Sequence, residues 1–174
     1  MKPILFIFSG LPATGKSSLS KLTAKEYKAV YLRIDTIEQA LRDLCNFNVQ
    51  GEGYRLAYQV ARDNLNLGHN VVADSCNPII LTRREWENVA LQINCQYINI
   101  EIVCSDMKEH RNRCQNRVID VERLRLPTWD EILNREFDPW EGKRITIDTT
   151  SQSIEQSFDQ LKAQIEKYLQ ENFF

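Results

Sequence analysis

Two glycines, a lysine and a serine near the start of the chain have the spacing of a phosphate-binding loop. Gly10, Gly15, Lys16 and Ser17 form the pattern Gly-x-x-x-x-Gly-Lys-Ser, which follows an apolar run at residues 4–8. Glycine permits turns in which successive backbone N–H groups point inward at an anion. A helix that begins at this point adds the positive end of its dipole. The pattern therefore predicts a site for the phosphates of a nucleoside triphosphate.

Each position of this loop has an expected role. We expect Lys16 to reach the β- and γ-phosphates and the Ser17 hydroxyl to bind Mg²⁺. The predicted nucleotide contacts from the loop are Gly10, Leu11, Pro12, Ala13, Thr14, Gly15, Lys16, Ser17 and Ser18. A Gly-rich turn that arises by chance is the alternative, but average residue usage gives this pattern in fewer than about one in a hundred chains of this length.

Two aspartates each follow an apolar stretch of strand length. Asp35 comes after residues 29–34, and Asp74 comes after residues 71–73. Ligands of parallel α/β sheets bind beyond the carboxyl ends of the strands, so both acids are expected to face the phosphate loop. Asp35 could orient or deprotonate an attacking hydroxyl group, and Asp74 could hold the Mg²⁺ shell. A helix N-cap is an equally good role for Asp35, and a turn residue is the alternative for Asp74.

Arginines are concentrated in one stretch in the second half of the chain. They are Arg111, Arg113, Arg117, Arg123 and Arg125. Arg113 and Arg117 are four residues apart, which predicts that they share one helix face. Guanidinium groups suit bidentate contact with phosphate oxygens and stacking on an adenine ring. We expect residues 106–127 to form a lid that closes over the phosphates, and the alternative is a solvated charged helix.

The elements that must position these residues alternate between strands and helices. Strands are predicted at residues 4–8, 29–34, 70–73, 96–104 and 144–148. Helices are predicted at residues 18–27, 36–45, 54–67, 82–93, 106–117, after Thr128, and at 153–170. This alternation predicts an α/β fold, in which a five-stranded parallel sheet has helices on both faces.

Local patterns give finer predictions for three of these helices. Thr82-x-x-Glu85 and Thr128-x-x-Glu131 each predict a capping box. Periodicity predicts that the helix at 54–67 has an inward face of Leu56, Val60, Leu65 and Leu67. Arg83 and Arg84 could line the acceptor side of the site or be exposed charges at a helix start.

Composition limits the class of protein. The 174 residues suffice for one domain with a substantial core, and we predict a single domain over residues 1–174. Because 22 Lys and Arg nearly balance 24 Asp and Glu, no global positive field recruits nucleic acid. The five cysteines show no Cys-x-x-Cys spacing, which favours free thiols in a reducing compartment. The absence of a signal pattern and of an apolar run of membrane length leads us to expect a cytoplasmic protein that does not enter a membrane.

These residues together resemble the small P-loop kinases that are often described as AAA-family ATP-binding proteins. Within that group the chain is similar to chloramphenicol phosphotransferase and to the kinase domain of polynucleotide 5′-kinases. The resemblance depends on the loop, on Arg-Ile-Asp35, on Val-Val-Ala-Asp74, on the Arg113/Arg117 pair and on Ile-Asp-Thr149. It implies a three-layer P-loop NTPase fold, with ATP and Mg²⁺ as cofactors.

The resemblance also implies roles for individual residues. Asp35 is similar to the general base or hydroxyl-orienting acid of these kinases, and Arg117 to the lid arginine that contacts the transferring phosphate. Arg113 is similar to an adenine-stacking residue, and residues 148–150, with Thr149 at their centre, lie where the family places the adenine edge. In polynucleotide kinases and many relatives an arginine follows the acid at plus three, but this chain has Glu38 there.

The sequence therefore predicts an ATP- and Mg²⁺-dependent phosphotransferase that acts on a hydroxyl group of a small molecule. The catalytic residues would be Lys16, Asp35 and Arg117, and the metal would be held by Ser17 and Asp74. Glu38 and the balanced charge argue against nucleic acid as the acceptor. A polynucleotide or nucleotide kinase, or a switch protein that hydrolyses ATP without an acceptor, are the alternatives.

Overall fold

Five parallel strands form one sheet in the computed structural model, which describes residues 2–173 of the chain. The strands are β1 (Ile4–Ser9), β2 (Val30–Arg33), β3 (Val71–Asp74), β4 (Gln96–Val103) and β5 (Ile145–Asp148). Their order across the sheet is β2-β3-β1-β4-β5, so that β1 is central and β2 and β5 are the edges. The carboxyl ends of all five strands therefore lie at one edge of the sheet, where the predicted site residues follow them.

Seven helices connect and cover the strands in the described part of the chain. They are α1 (Lys16–Glu26), α2 (Ile34–Cys45), α3 (Glu52–Asn66), α4 (Ile80–Gln92), α5 (Met107–Gln115), α6 (Trp129–Leu133) and α7 (Ile154–Phe173). None of them, within residues 2–173, is long and apolar enough to cross a membrane. The two terminal residues of the predicted 1–174 domain, 1 and 174, lie outside the described residues.

Alternate residues of β1 face two separate hydrophobic cores. Leu5 and Ile7 pack with side chains from α2, α3 and α4, whereas Phe6 and Phe8 pack with side chains from α1 and α7. All four side chains are fully buried. A strand that is apolar on both faces is typical of a parallel sheet covered by helices on both sides. The predicted three-layer α/β fold is confirmed.

The predicted inward face of α3 is wrong. Leu56, Val60 and Leu67 are 45%, 42% and 76% exposed, and Leu65 alone of the predicted four is buried. The buried face is instead formed by Ala57 and Ala61, together with Gly53, Tyr58 and Leu65. Small residues four positions apart let the helix lie close to the sheet, so the larger apolar side chains beside them point to solvent. Tyr58 is a core residue, and its ring packs edge-on against Trp86.

One of the two predicted capping boxes is present. Thr128 and Glu131 cap α6 reciprocally, as predicted. The box at Thr82 is wrong, because α4 begins two residues earlier, at Ile80. The Asp138 carboxylate accepts the Ile80 N–H at 2.7 Å. A distant loop therefore supplies the cap that the local pattern assigns to Thr82.

Arg83 joins the same loop to the start of α4. Its side chain is buried and donates hydrogen bonds to the carbonyl oxygens of Asn77, Pro78, Asp138 and Pro139. The guanidinium carbon also lies 4.2 Å from the centre of the Trp140 ring. Arg83 is therefore neither an exposed charge nor an acceptor contact, because its donors and its ring-facing surface are used in holding two segments together.

The buried indole of Trp86 gives a prediction for stability. Trp86 is fully buried against Tyr58, with ring centroids 4.6 Å apart. We expect Trp86→Ala to lower the free energy of unfolding by about 3–5 kcal/mol, because it leaves a large cavity. Trp86→Phe should cost less, since within residues 2–173 the indole N–H has no hydrogen-bond partner to lose. Urea denaturation of both variants measures this difference, and equal losses would contradict it.

Candidate active site

The predicted phosphate loop joins β1 to α1 through backbone conformations that favour glycine. Gly10 has a φ of 142°, and a Cβ atom there would lie 2.3 Å from the carbonyl oxygen of Ile102. Gly15 has a φ of 91° and precedes the first residue of α1, so it offers no side chain to cap that helix. The first N–H groups of α1 are therefore free to face an anion.

Three neighbouring segments hold this loop in place. The Thr149 hydroxyl donates to the Thr14 carbonyl at 2.8 Å, and the His110 ring bonds the Pro12 carbonyl at 2.8 Å. The Gly10 N–H donates to the Cys76 carbonyl at 3.1 Å. His110 is buried and packs edge-on against Trp129. The sequence does not predict that His110 contacts the loop, because the other residues of its helix have the pattern of a charged, solvated helix.

A buried ion pair lies beneath the loop. Lys16 Nζ is 2.9 Å from Asp74 Oδ1, and the Tyr31 hydroxyl donates to Asp74 Oδ2 at 2.6 Å. Burial disfavours both charges, yet the pKa of Lys16 is raised and that of Asp74 is lowered, because each charge faces the other. Lys16 lines the cleft above the loop, whereas Asp74 lies below it and does not. We expect the phosphates of a nucleotide to draw Lys16 away from Asp74.

The residues predicted to hold Mg²⁺ have the right chemistry for that ion. Ser17 lies in the first turn of α1 and lines the cleft, and its hydroxyl contributes to the lowered pKa of Asp74. Within residues 2–173, no group of three or more His, Cys, Asp and Glu side chains forms a metal cluster. Mg²⁺ commonly keeps several waters and binds one or two carboxylates together with substrate phosphates. A hydroxyl and a carboxylate beside a phosphate loop fit this preference.

Asp35 lies in the first turn of α2 and not at its N-cap. The helix begins at Ile34 and its N-cap is Arg33, so the capping role for Asp35 is wrong. The Asp35 side chain is 42% exposed and lines the cleft, where its carboxylate is 3.6 Å from the Arg33 guanidinium. The helix starts at Ile34, the last residue of the predicted strand. The Asp35 carboxylate is therefore free of a capping bond and faces the cleft.

Arg33 also connects the floor of the cleft to the lid. Its guanidinium donates two hydrogen bonds to Asp120, at 2.7 and 3.0 Å, and Lys21 donates to the same carboxylate at 2.9 Å. These hydrogen bonds, chiefly those from Arg33, hold the pKa of Asp120 well below its usual range. We name these three residues the lid latch. The sequence predicts a mobile lid but does not predict the lid latch, because Arg33 and Asp120 are 87 residues apart in the chain.

The two lid arginines do not share a helix face. α5 ends at Gln115 and Arg117 lies beyond it, because Asn116 ends the helix and its side chain donates back to the Asn112 carbonyl at 2.9 Å. Arg113 donates to the hydroxyl and the carbonyl of Thr149, at 2.7 and 2.8 Å. Both arginines nevertheless line the same cleft.

Asp148 shapes the turn that carries Thr149. Its carboxylate accepts the N–H groups of Ser105 and Thr150, at 3.1 and 3.0 Å. Burial alone would raise the pKa of Asp148, but hydrogen bonds from the Ser105 side chain and from the Thr150 and Ser105 N–H groups outweigh it and lower the pKa to about 2. The turn therefore keeps its charge-assisted bonds at neutral pH and presents Thr149 to the loop and to Arg113.

One cleft of about 950 Å³ brings most of the predicted site residues together. Of the site residues predicted from the sequence, those that line it are Leu11, Pro12, Ala13, Gly15, Lys16, Ser17, Ser18, Asp35, Arg113, Arg117 and Thr149. Gly10, Thr14 and Asp74 support this surface from below without lining it. At the end next to Asp35 the lining continues with Glu38, Gln39, Arg42, Cys76 and Arg135. Burial, together with the nearby carboxylates of Asp35 and Glu52, raises the pKa of Glu38 despite its ion pair with Arg42.

Comparison with known proteins agrees with this fold. The model of a family described as AAA domain matches residues 5–139. No curated protein sequence matches the chain. A protein from Chloroflexus aurantiacus j-10-fl that is proposed to be a kinase has a TM-score of 0.71 and 19% identity, with 94% of this chain and 98% of that chain covered.

Two further solved structures have the same fold. A gluconokinase from Sinorhizobium meliloti 1021 has a TM-score of 0.70 and 14% identity, with 99% of this chain and 97% of that chain covered. The Mycobacterium tuberculosis APS kinase, in complex with AMPPNP and APS, has a TM-score of 0.69 and 14% identity, with coverage of 95% and 98%. At these identities the similarity shows a shared fold.

The close approach at Gly10 gives a prediction for nucleotide binding. We expect Gly10→Ala to displace the loop and remove most of the affinity for ATP, because the new Cβ would collide with the Ile102 carbonyl. Gly142→Ala is the matched control, since Gly142 has a similar need for positive φ, at 92°, but has open space around it. Isothermal titration with ATP measures both. Unchanged affinity in Gly10→Ala would contradict the expectation.

Proposed function

The chain belongs to the AAA-domain family, and from this membership we propose that it is an ATP- and Mg²⁺-dependent phosphotransferase. It moves the γ-phosphate to a hydroxyl group of a small molecule. The observation that carries the proposal is the meeting of Lys16 and Asp35 in one cleft. The Asp35 carboxylate is near enough to contribute to the raised pKa of Lys16. A phosphate held by Lys16 would therefore lie within reach of a hydroxyl group held by Asp35.

The loop and the first turn of α1 bind the phosphates of ATP in this proposal. Lys16 exchanges the Asp74 carboxylate for β- and γ-phosphate oxygens, and the backbone N–H groups of the loop bind further oxygens. Ser17 and Asp74 would hold Mg²⁺, which would neutralise charge on the phosphates. The base lies towards Arg113 and Thr149; Thr149 follows the edge strand β5, whereas Asp35 follows the opposite edge strand, β2.

Asp35 accepts the proton of the acceptor hydroxyl group. The acceptor oxygen forms a bond to the γ-phosphorus while the bond from that phosphorus to the β–γ bridging oxygen breaks, and ADP leaves. The hydroxyl proton passes to the Asp35 carboxylate. Arg33, 3.6 Å from this carboxylate, helps to fix its position. The first-turn location of Asp35 in α2 supports this role, because the carboxylate is exposed to the cleft and is not used as an N-cap.

The lid excludes water and adds positive charge. The part of the predicted lid (residues 106–127) that follows α5, residues 116–127, closes over the phosphates, and Arg117 stabilises the charge on the transferring group. The lid latch supports this arrangement, because Asp120 ties the lid to Arg33 and Lys21 on the opposite side of the cleft. Protection from water matters in a kinase, since water at the γ-phosphate would hydrolyse ATP.

A small molecule suits the cleft better than nucleic acid. The chain as a whole has a net charge of −2, so there is no global excess of positive charge to attract a polyanion. Glu38 adds a carboxylate at the acceptor end of the cleft. The names of the two solved kinases, gluconokinase and APS kinase, refer to different acceptors. The shared fold therefore leaves the acceptor to be argued from the residues of this chain.

Nucleotide binding can be tested without knowledge of the acceptor. We expect ATP with Mg²⁺ to raise the melting temperature of the protein, because a ligand that binds the folded state stabilises it by mass action. Lys16→Ala should remove most of this shift, whereas Lys25→Ala, in the exposed last turn of the same helix, should keep it. Thermal denaturation with ATP, ADP and GTP, each with and without Mg²⁺, measures the effect. A folded protein that shows no shift with any nucleotide would refute the proposed function.

The role of Asp35 separates phosphate transfer from nucleotide binding. We expect Asp35→Asn to leave the ATP-dependent rise in melting temperature intact while acceptor-dependent ADP release falls by about 10²- to 10⁴-fold, because the proton acceptor is lost. Asp63→Asn, on the exposed side of α3, is the matched control and should behave as the wild type. ADP release is measured with a coupled assay. Transfer at the wild-type rate in Asp35→Asn would rule out the proposed role of this residue.

A further inference from the structure

One face of α2 forms a polar wall at the acceptor end of the cleft. Asp35, Glu38, Gln39 and Arg42 are spaced i, i+3, i+4 and i+7, and all four line the cleft. Residues at this spacing share one side of a helix. Beside this face, Ile34 and Ile37 of the same helix pack into the hydrophobic core. The wall is therefore a fixed surface, since core packing sets the rotation of the helix.

Packing holds Glu38 in the middle of this wall. A Cβ atom at Gly53 would lie 2.3 Å from Glu38 Cγ, so the first turn of α3 presses directly on the Glu38 side chain. Arg42 lies one turn further along α2 and donates to Glu38 Oε2 at 3.3 Å. The carboxylate is thus restrained from two sides, while 21% of the side chain remains exposed. A restrained carboxylate loses little entropy when it accepts hydrogen bonds from a ligand.

We infer that Glu38 is a specificity-determining residue that binds hydroxyl groups of the acceptor, and that the acceptor is an uncharged polyhydroxylated molecule of monosaccharide size. This inference rests on the proposed function. A carboxylate has two oxygens and accepts hydrogen bonds from two neighbouring hydroxyl groups. Glu38 lies one helical turn from Asp35, so an acceptor bound by Glu38 places another hydroxyl at Asp35.

The charges of the wall favour an uncharged acceptor over an anionic one. Asp35 and Glu38 carry like charges, and each raises the energy of a phosphate or carboxylate placed beside it. Of the arginines at this end of the cleft, Arg42 donates to Glu38, and Arg33 donates to Asp120 and lies 3.6 Å from Asp35, whereas Arg135 comes from outside the wall. The lid arginines 117, 123 and 125 line the cleft as well, and in the proposed function they face the phosphates of ATP. An anionic acceptor would therefore meet two carboxylates on the α2 face of the cleft.

A panel of defined compounds tests the substrate class. ADP release from ATP and Mg²⁺ is measured with neutral aldoses, alditols and cyclitols, with glucose 6-phosphate and gluconate, and with an oligothymidine that has a free 5′-hydroxyl. We expect at least one neutral compound to stimulate ADP release, and the charged compounds and the oligonucleotide to give none.

Three variants test the role of Glu38 with the best neutral compound. We expect Glu38→Gln to lower kcat/KM for that compound by about ten- to a hundredfold, because a charged hydrogen-bond acceptor is lost, while KM for ATP is unchanged. Gly53→Ala should act in the same direction, since its Cβ displaces Glu38, and Glu38→Asp should restore part of the loss. The control is Glu171→Gln, which removes one partner of an exposed i,i+4 ion pair on α7 and should change neither constant.

The outcomes separate this inference from the proposed function. If glucose 6-phosphate, gluconate or the oligonucleotide stimulates ADP release, the inference is overturned, while the proposed kinase function still holds. The same follows from a panel in which no neutral compound stimulates ADP release although ATP still raises the melting temperature. An unchanged kcat/KM in Glu38→Gln also overturns it. Failure of ATP to bind the wild-type protein removes the proposed function itself.

Discussion

The buried ion pair between Lys16 and Asp74 is the interaction on which the site depends. It joins the first residue of α1 to the carboxyl end of β3, and the Tyr31 hydroxyl fixes the second oxygen of Asp74. Two charges are kept from water here, and a buried pair of this kind becomes costly as soon as one partner is removed. In the proposed function, this pair holds the Lys16 ammonium group beside the cleft until a phosphate replaces Asp74 as its partner.

The fold could be predicted because its signals are local. Apolar runs that end in polar residues mark the five strands, and their alternation with helices allows few arrangements other than a covered parallel sheet. The same rule places the strand ends at one edge, so the meeting of the loop with Asp35 follows from chain order. Thr128 and Glu131 are predictable for a similar reason, since both partners of the capping box lie within one turn.

The remaining features depend on contacts between distant residues. Asp138 caps α4 from 58 residues away, and Asp120 reaches Arg33 across 87 residues, so no short window contains both partners. The error at α3 has another cause. Its leucines and valine fit an amphipathic pattern, but Ala57 and Ala61 form the buried side. Close packing of the helix against the sheet accommodates small side chains better than large ones. Hydrophobic periodicity shows which side chains are apolar, but it does not show how much space lies between a helix and the sheet.

Thr149 has a consequence for the order in which the protein is made. The phosphate loop is encoded near the start of the chain, yet its Thr14 carbonyl is held by a hydroxyl 135 residues later. At about 5–20 residues per second, a ribosome needs roughly 7 to 27 s to cover that distance. During this interval the nascent chain already carries the loop sequence but lacks one of the groups that shape it. The proposed nucleotide site is thus completed only after Thr149 has been synthesised.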